Sequence, residues 1–86
     1  MFVIVVYDVE VSRVDRVRKL LRRYLNWVQN SVFEGEITVS RLTALKKELQ
    51  ELLKENDSVY IYTVKFPKAV KRETVGAERG GTEEFL

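Results

Sequence analysis

Six consecutive apolar side chains, FVIVVY at residues 2–7, end on the carboxylate of Asp8, and no other stretch limits the possible folds so strongly. A short apolar run rich in β-branched residues reads as a strand covered on both faces. The residue that closes such a strand sits where open sheets commonly meet their ligands. Asp8 is therefore the first candidate for chemistry, the alternative being that it ends the strand or caps the next turn.

Eighty-six residues suffice for one core and not for two. There is no cysteine and no histidine, which excludes disulfides, thiolate metal sites and Cys or His catalysis and leaves carboxylates and hydroxyls as the reactive groups. The start is too short and uncharged for a signal peptide, and no apolar run reaches the roughly 18 residues of a membrane span. A cytoplasmic protein with no membrane association is expected. The formal net charge of +2 conceals an uneven distribution: residues 12–24 hold six basic side chains, Arg13, Arg16, Arg18, Lys19, Arg22 and Arg23, against one acid, Asp15. Local field governs what such a surface attracts.

Ser12 followed by Asp15 resembles a capping box, so a helix is expected to start there. Val14, Val17, Leu20, Leu21 and Tyr24 recur at helical spacing and form its packing stripe, with the arginines outward. Residues 27–39 alternate, which predicts a hairpin: a strand over residues 27–33, a tight turn at Glu34-Gly35 and a short strand over residues 36–39. Ser40 then caps a second helix with Leu42, Leu45, Leu49, Leu52 and Leu53 as its stripe. Asn56 and Asp57 break that helix ahead of a strand, SVYIYTVKF, ended by Pro67. Residues 72–77 (RETVGA) read as one more short strand. Gly80-Gly81 with Glu83 and Glu84 read as a frayed tail.

This order is the split βαβ arrangement, an α+β ferredoxin-like βαββαβ fold: a four-stranded antiparallel sheet with two helices on one face and a short extra C-terminal strand. Residues 1–77 are expected to form that single domain and 78–86 a flexible tail. The face without helices, with Phe33 or the tyrosines adding to it, is expected to pair with a second copy.

The fold hosts many activities. An RNA-recognition module needs aromatics on both central strands, and the strand expected over residues 36–39 has none. A small anion-binding hydrolase or regulatory domain needs a glycine-rich loop after the first strand, where Val9, Glu10 and Val11 stand instead. The YDV at residues 7–9, the basic first helix, the VQNSVFEGEI of residues 28–37, the DSVYIY of residues 57–62 and the TVG of residues 74–76 together resemble the CRISPR-associated protein 2 family. The likeness runs from residue 2 to about residue 77.

That resemblance implies a homodimer acting in spacer acquisition, which bridges dimers of the CRISPR-associated integrase and binds incoming duplex DNA. It also implies a Mg²⁺-dependent endonuclease on single-stranded RNA or double-stranded DNA. By the same likeness Asp8 is the catalytic and metal-site residue, and Arg13 and Arg16 contact nucleic acid; the basic charge of the same helix adds Arg18 and Lys19 to that expected surface. Ser31 and Phe33 lie near the same cleft, and Thr74, Val75 and Gly76 belong to a strand that crosses to the partner. Where many relatives carry an arginine before the VQ pair this chain has Trp27, one phosphate contact fewer. Mg²⁺ takes one or two carboxylates together with waters and phosphate oxygens. Two copies of Asp8 across a two-fold axis fit that demand. The competing expectation is a scaffold without chemistry, binding duplex phosphates through the first helix and through Lys65, Lys68, Lys71 and Arg72.

Overall fold

The computed structural model describes residues 1–66 and 70–79. The expectations for Pro67, Lys68, Gly80-Gly81, Glu83 and Glu84 lie outside the described residues. The element order is β1 (Phe2–Asp8), α1 (Val11–Arg22), β2 (Asn26–Gln29), β3 (Val32–Glu36), α2 (Val39–Leu52) and β4 (Ser58–Val64). The sheet runs β2-β3-β1-β4, and every neighbouring pair is antiparallel. This is the expected ferredoxin-like arrangement. Among the described residues no helix is long and apolar enough to cross a membrane.

Alternation along β1 divides the molecule. Val3, Val5 and Tyr7 are buried against the helices, whose own contribution is Val17, Leu20 and Leu21 from α1 and Leu42, Leu45 and Leu49 from α2. Phe2, Ile4 and Val6 point the other way and are only half-buried. The strand is thus sealed on one face by its own chain and not on both. Across the open face, Val32, Val6 and Tyr60 make one row of partners and Glu34, Ile4 and Tyr62 the next. Tyr60 and Tyr62 are more than half exposed there. Phe33 does not join them: it is fully buried on the helix side, opposite Val5 and Trp27.

The hairpin turns earlier than its sequence suggests. Gln29 already pairs with Val32, so the turn is Asn30-Ser31, and Asn30 takes φ 38°, a left-handed value that asparagine tolerates. Gly35, expected in the turn, lies inside β3 opposite Val3. An added Cβ there would stand 3.4 Å from both Leu25 Cδ2 and Asn26 Nδ2, a van der Waals contact with the side chains of the α1–β2 connection. A register shift between Trp27 and Gln29 breaks the simple alternation of β2.

Both helix starts also move. α1 begins at Val11 with Glu10 as N-cap, which makes no side-chain capping bond, so the expected Ser12–Asp15 box does not form. The Glu10 N–H is instead taken by Asp57 from across the molecule. In α2 the cap is Thr38, not Ser40: the Thr38 hydroxyl accepts the Arg41 N–H at 3.2 Å. At the opposite end of α1 the two helices are tied together, with Tyr24 donating its hydroxyl to Glu48 and Arg41 stacked 4.6 Å from the Tyr24 ring centre.

Residues 72–77 form no strand within one chain; Val75 is fully exposed and Arg72 bonds to Glu34 and Glu78. A strand exists only on a ladder, and among the described residues the segment pairs with none of the four strands. Gly76 there adopts φ 98°, and an added Cβ would meet nothing within 4 Å among the described residues, so glycine is favoured there by backbone conformation.

Candidate functional site

The site is built where β1 ends. Asp8 is exposed at the last strand position, opposite Ser58 of β4. The preceding residue is fixed from the other side, since the Tyr7 N–H donates to the Ser31 carbonyl at 3.1 Å. Between them opens a cleft of about 310 Å³, lined by Tyr7, Asp8 and Val9 from the strand end, Val14 and Arg18 one helical turn apart on α1, and Asn30 and Ser31 from the hairpin turn. A carboxylate, a guanidinium, a hydroxyl and an amide thus converge from residues distant in sequence.

The Tyr7 phenol forms the inner wall. Its hydroxyl donates to the Asn30 carbonyl at 3.5 Å, and burial raises its pKa, opposed by the positive charge of Arg18 and a hydrogen bond with Ser31. It is therefore protonated at neutral pH and acts as a donor, not a base.

Arg18 sits with its guanidinium carbon 5.6 Å from the centre of the Trp27 ring. Trp27 is itself oriented, donating its indole N–H to the Asn30 carbonyl at 3.0 Å. The Arg18 Nε is buried with no hydrogen-bond partner among the described residues. A guanidinium stacked on an aromatic face with unspent donors is prepared for a planar or tetrahedral anion.

Arg13 is paired within the chain. Its Nε and Nη2 bind the two Asp57 oxygens at 2.5 and 3.0 Å. Asp57, which the sequence presents as a helix breaker, also accepts the backbone N–H groups of Glu10 and Lys54, both at 2.9 Å. The Arg13 hydrogen bonds, with help from those two amides, hold the Asp57 carboxyl well below the usual carboxylate range despite its desolvation. A lowered folded-state pKa stabilises the fold above the unfolded value of about 4, and that stabilisation is lost as pH falls through the lower folded value. The expected result is that Asp57→Asn lowers the melting temperature at pH 7 by roughly 5–15 °C. The gap to wild type then closes as the pH is taken from about 4 toward 2. Parallel melting curves over that range would show that the pair does not hold the fold.

The other expected residues scatter. Arg16 and Lys19 are exposed on α1 and do not line the cleft, whereas Ser31 does. Phe33 touches it only through Tyr7, the two ring centres lying 6.3 Å apart. Thr74, Val75 and Gly76 are exposed.

Comparison with known proteins decides the family. The family model for CRISPR associated protein Cas2 matches residues 1–72 of the chain. The chain belongs to the Cas2 family. Among Cas2 relatives, the CRISPR-associated endoribonuclease Cas2 2 of Archaeoglobus fulgidus is 53% identical over 99% of this chain and 95% of its own length. The CRISPR-associated endoribonuclease Cas2 of Pyrococcus furiosus is 49% identical over the whole of both chains. A Cas2 crystal structure superposes with a TM-score of 0.83 at 52% identity, covering 92% of this chain and 90% of the other. Streptococcus pyogenes Cas2 does so with a TM-score of 0.74 at 34% identity, covering 88% and 100%.

For the magnesium that Cas2 resemblance implies, the donor chemistry fits: the Asp8 carboxylate and the Ser31 and Asn30 oxygens are hard ligands of the kind Mg²⁺ takes. Among the described residues lining the cleft, Asp8 is the one carboxylate. Among the described residues no three acidic side chains come together as a metal cluster.

Proposed function

We propose that this chain is a homodimeric, Mg²⁺-dependent endonuclease of CRISPR spacer acquisition, cutting single-stranded RNA or duplex DNA at the β1 end. The observation that carries the reading is the convergence of Asp8, Arg18 and Ser31 on one cleft. It is supported by the names of the relatives, which are called CRISPR-associated endoribonucleases. Asp8, with its counterpart from a second copy, holds the metal. When bound, the magnesium supplies Lewis-acid charge beside the scissile phosphate. Arg18, kept in place by Trp27, binds a phosphate oxygen, and the Ser31 hydroxyl donates to another. Tyr7 stays protonated and contributes no base.

The half-exposed tyrosines and half-buried Ile4 and Val6 of the open face support pairing with a second copy, with residues 74–76 adding a ladder to the partner. A second reading, a duplex-binding bridge for the CRISPR-associated integrase, is favoured by the single carboxylate in the cleft and by the exposed Arg16 and Lys19 of α1.

The test is cleavage of labelled single-stranded RNA and duplex DNA by a preparation shown by sedimentation to be dimeric, in Mg²⁺ and after EDTA. Metal-dependent cutting supports the nuclease. Binding without cutting leaves the bridge. In the same preparation, Arg18→Ala is expected to flatten the slope of log affinity for single-stranded RNA against log salt by about 0.7, one phosphate contact. An unchanged slope removes Arg18 from the contact surface.

A further inference from the structure

We propose that Asp57 is a positioning residue for Asp8, and that Arg13 completes this clamp instead of touching the nucleic-acid backbone. The inference rests on the reading of the β1 end as the nuclease site and names what holds that site in shape.

Four donors converge on one carboxylate: the Glu10 and Lys54 amides and two nitrogens of Arg13. An ionised carboxylate offers about four acceptor positions, so Asp57 is saturated. Its side chain is wholly covered, and that of Arg13 is 16% exposed. A phosphate reaching Arg13 would find only the donors the Asp57 fork leaves, on a side chain mostly covered, and pulling the guanidinium out of the fork would leave Asp57 buried without its cation, an arrangement that proteins tolerate poorly. Arg18 has no such commitment: its Nε lacks a partner among the described residues. The two arginines therefore divide the work, Arg18 for the ligand and Arg13 for the frame.

The clamp acts where it matters for Asp8. Glu10, whose N–H Asp57 takes, lies two residues beyond Asp8, in the turn by which the chain leaves β1. Ser58, the next residue after Asp57, is the register partner of Asp8 itself. Tyr7, on the other side of Asp8, is held by the Ser31 carbonyl. Asp8 is thus fixed by its backbone before and after, while its carboxylate stays exposed. The same carboxylate supplies the anchor for the start of α1, where Glu10 makes no side-chain cap. Displacement of a catalytic group by about 1 Å costs on the order of 10²-fold in rate.

The experiment uses Asp57→Asn, Arg13→Gln and the double variant in the full dimeric chain, with Arg13→Lys as a milder form that keeps the charge and loses the fork. Three quantities are read: the single-turnover cleavage rate of labelled single-stranded RNA at saturating protein in Mg²⁺, the salt slope of RNA binding, and amide hydrogen exchange at Glu10 and Lys54. Each single variant is expected to cut about 10–100-fold more slowly. The double variant should be no slower than the slower single, because both remove the same clamp. Salt slopes should stay at the wild-type value, and amide protection should fall in every variant. A slope lowered by about 0.7 in Arg13→Gln alone would make Arg13 a phosphate contact and overturn the proposal. So would cleavage at the wild-type rate in variants whose amides have lost protection. Absence of cleavage by wild type defeats the nuclease reading separately; the clamp then stands or falls on whether Asp57→Asn and Arg13→Lys each expose the Glu10 and Lys54 amides.

Discussion

Asp8→Ala is expected to abolish metal-dependent cleavage, a loss on the order of 10³-fold or more in the single-turnover rate, with RNA binding retained. The side chain is exposed at the end of β1, and exposed substitutions away from caps and networks change stability by about 0.5 kcal/mol or less. For a domain of this size that is a shift of roughly 2–4 °C in melting temperature. Binding should hold or tighten, because removing a negative charge from a cleft that also presents Arg18 lessens repulsion of phosphate. The signature is therefore a fall in rate with affinity kept, which separates a group acting on the reacting phosphate from one that merely holds substrate. Cleavage retained by a dimeric Asp8→Ala protein would move the chemistry elsewhere. The rate comparison is meaningful only between dimers, since one chain brings a single carboxylate to the cleft.

The parts of the fold that could be read from sequence were those written in periodic patterns. The apolar run into Asp8, the leucines of α2 at helical spacing and the alternation of β4 each repeat over several residues, and each forms the expected element, although β1 is covered on one face only. The errors fall where one residue's local preference competes with a distant contact. Glu34-Gly35 looks like a turn, but pairing with β1 draws Gly35 opposite Val3 and leaves the left-handed position to Asn30. Ser12 and Asp15 look like a capping box, but Asp57 anchors that helix start from 47 residues beyond Glu10. The site divides in the same way. Asp8 and Ser31 were legible as a strand end and a motif residue, and Arg18 as part of a basic helix. Asp57 was not, because nothing in its neighbourhood announces a pairing 44 residues away with Arg13. Its one local sign is its place directly before the strand whose first residue pairs with Asp8.

Phe33 provides the other large effect, and it distinguishes packing from contact. Phe33→Ala is expected to cost about 3–5 kcal/mol, because the ring is wholly buried between Val5 and Trp27 on the helix side of the sheet. At roughly 4–8 °C per kcal/mol the melting temperature would fall by some 12–40 °C, enough to unfold a marginal domain. Phe33→Leu, which keeps most of the apolar volume, should cost only about 1–1.5 kcal/mol. The two variants have opposite implications for the cleft. If Phe33 acts by supporting the Tyr7 ring beside Asp8, cleavage should follow stability: near wild type in the leucine variant below its melting temperature, and absent in the alanine variant where it is unfolded. If Phe33 stacked on a base, the leucine variant would lose RNA affinity by about 1–3 kcal/mol while remaining folded. The structure favours the first outcome, since a ring with no exposed surface can reach a nucleotide only by leaving the core that its removal would collapse.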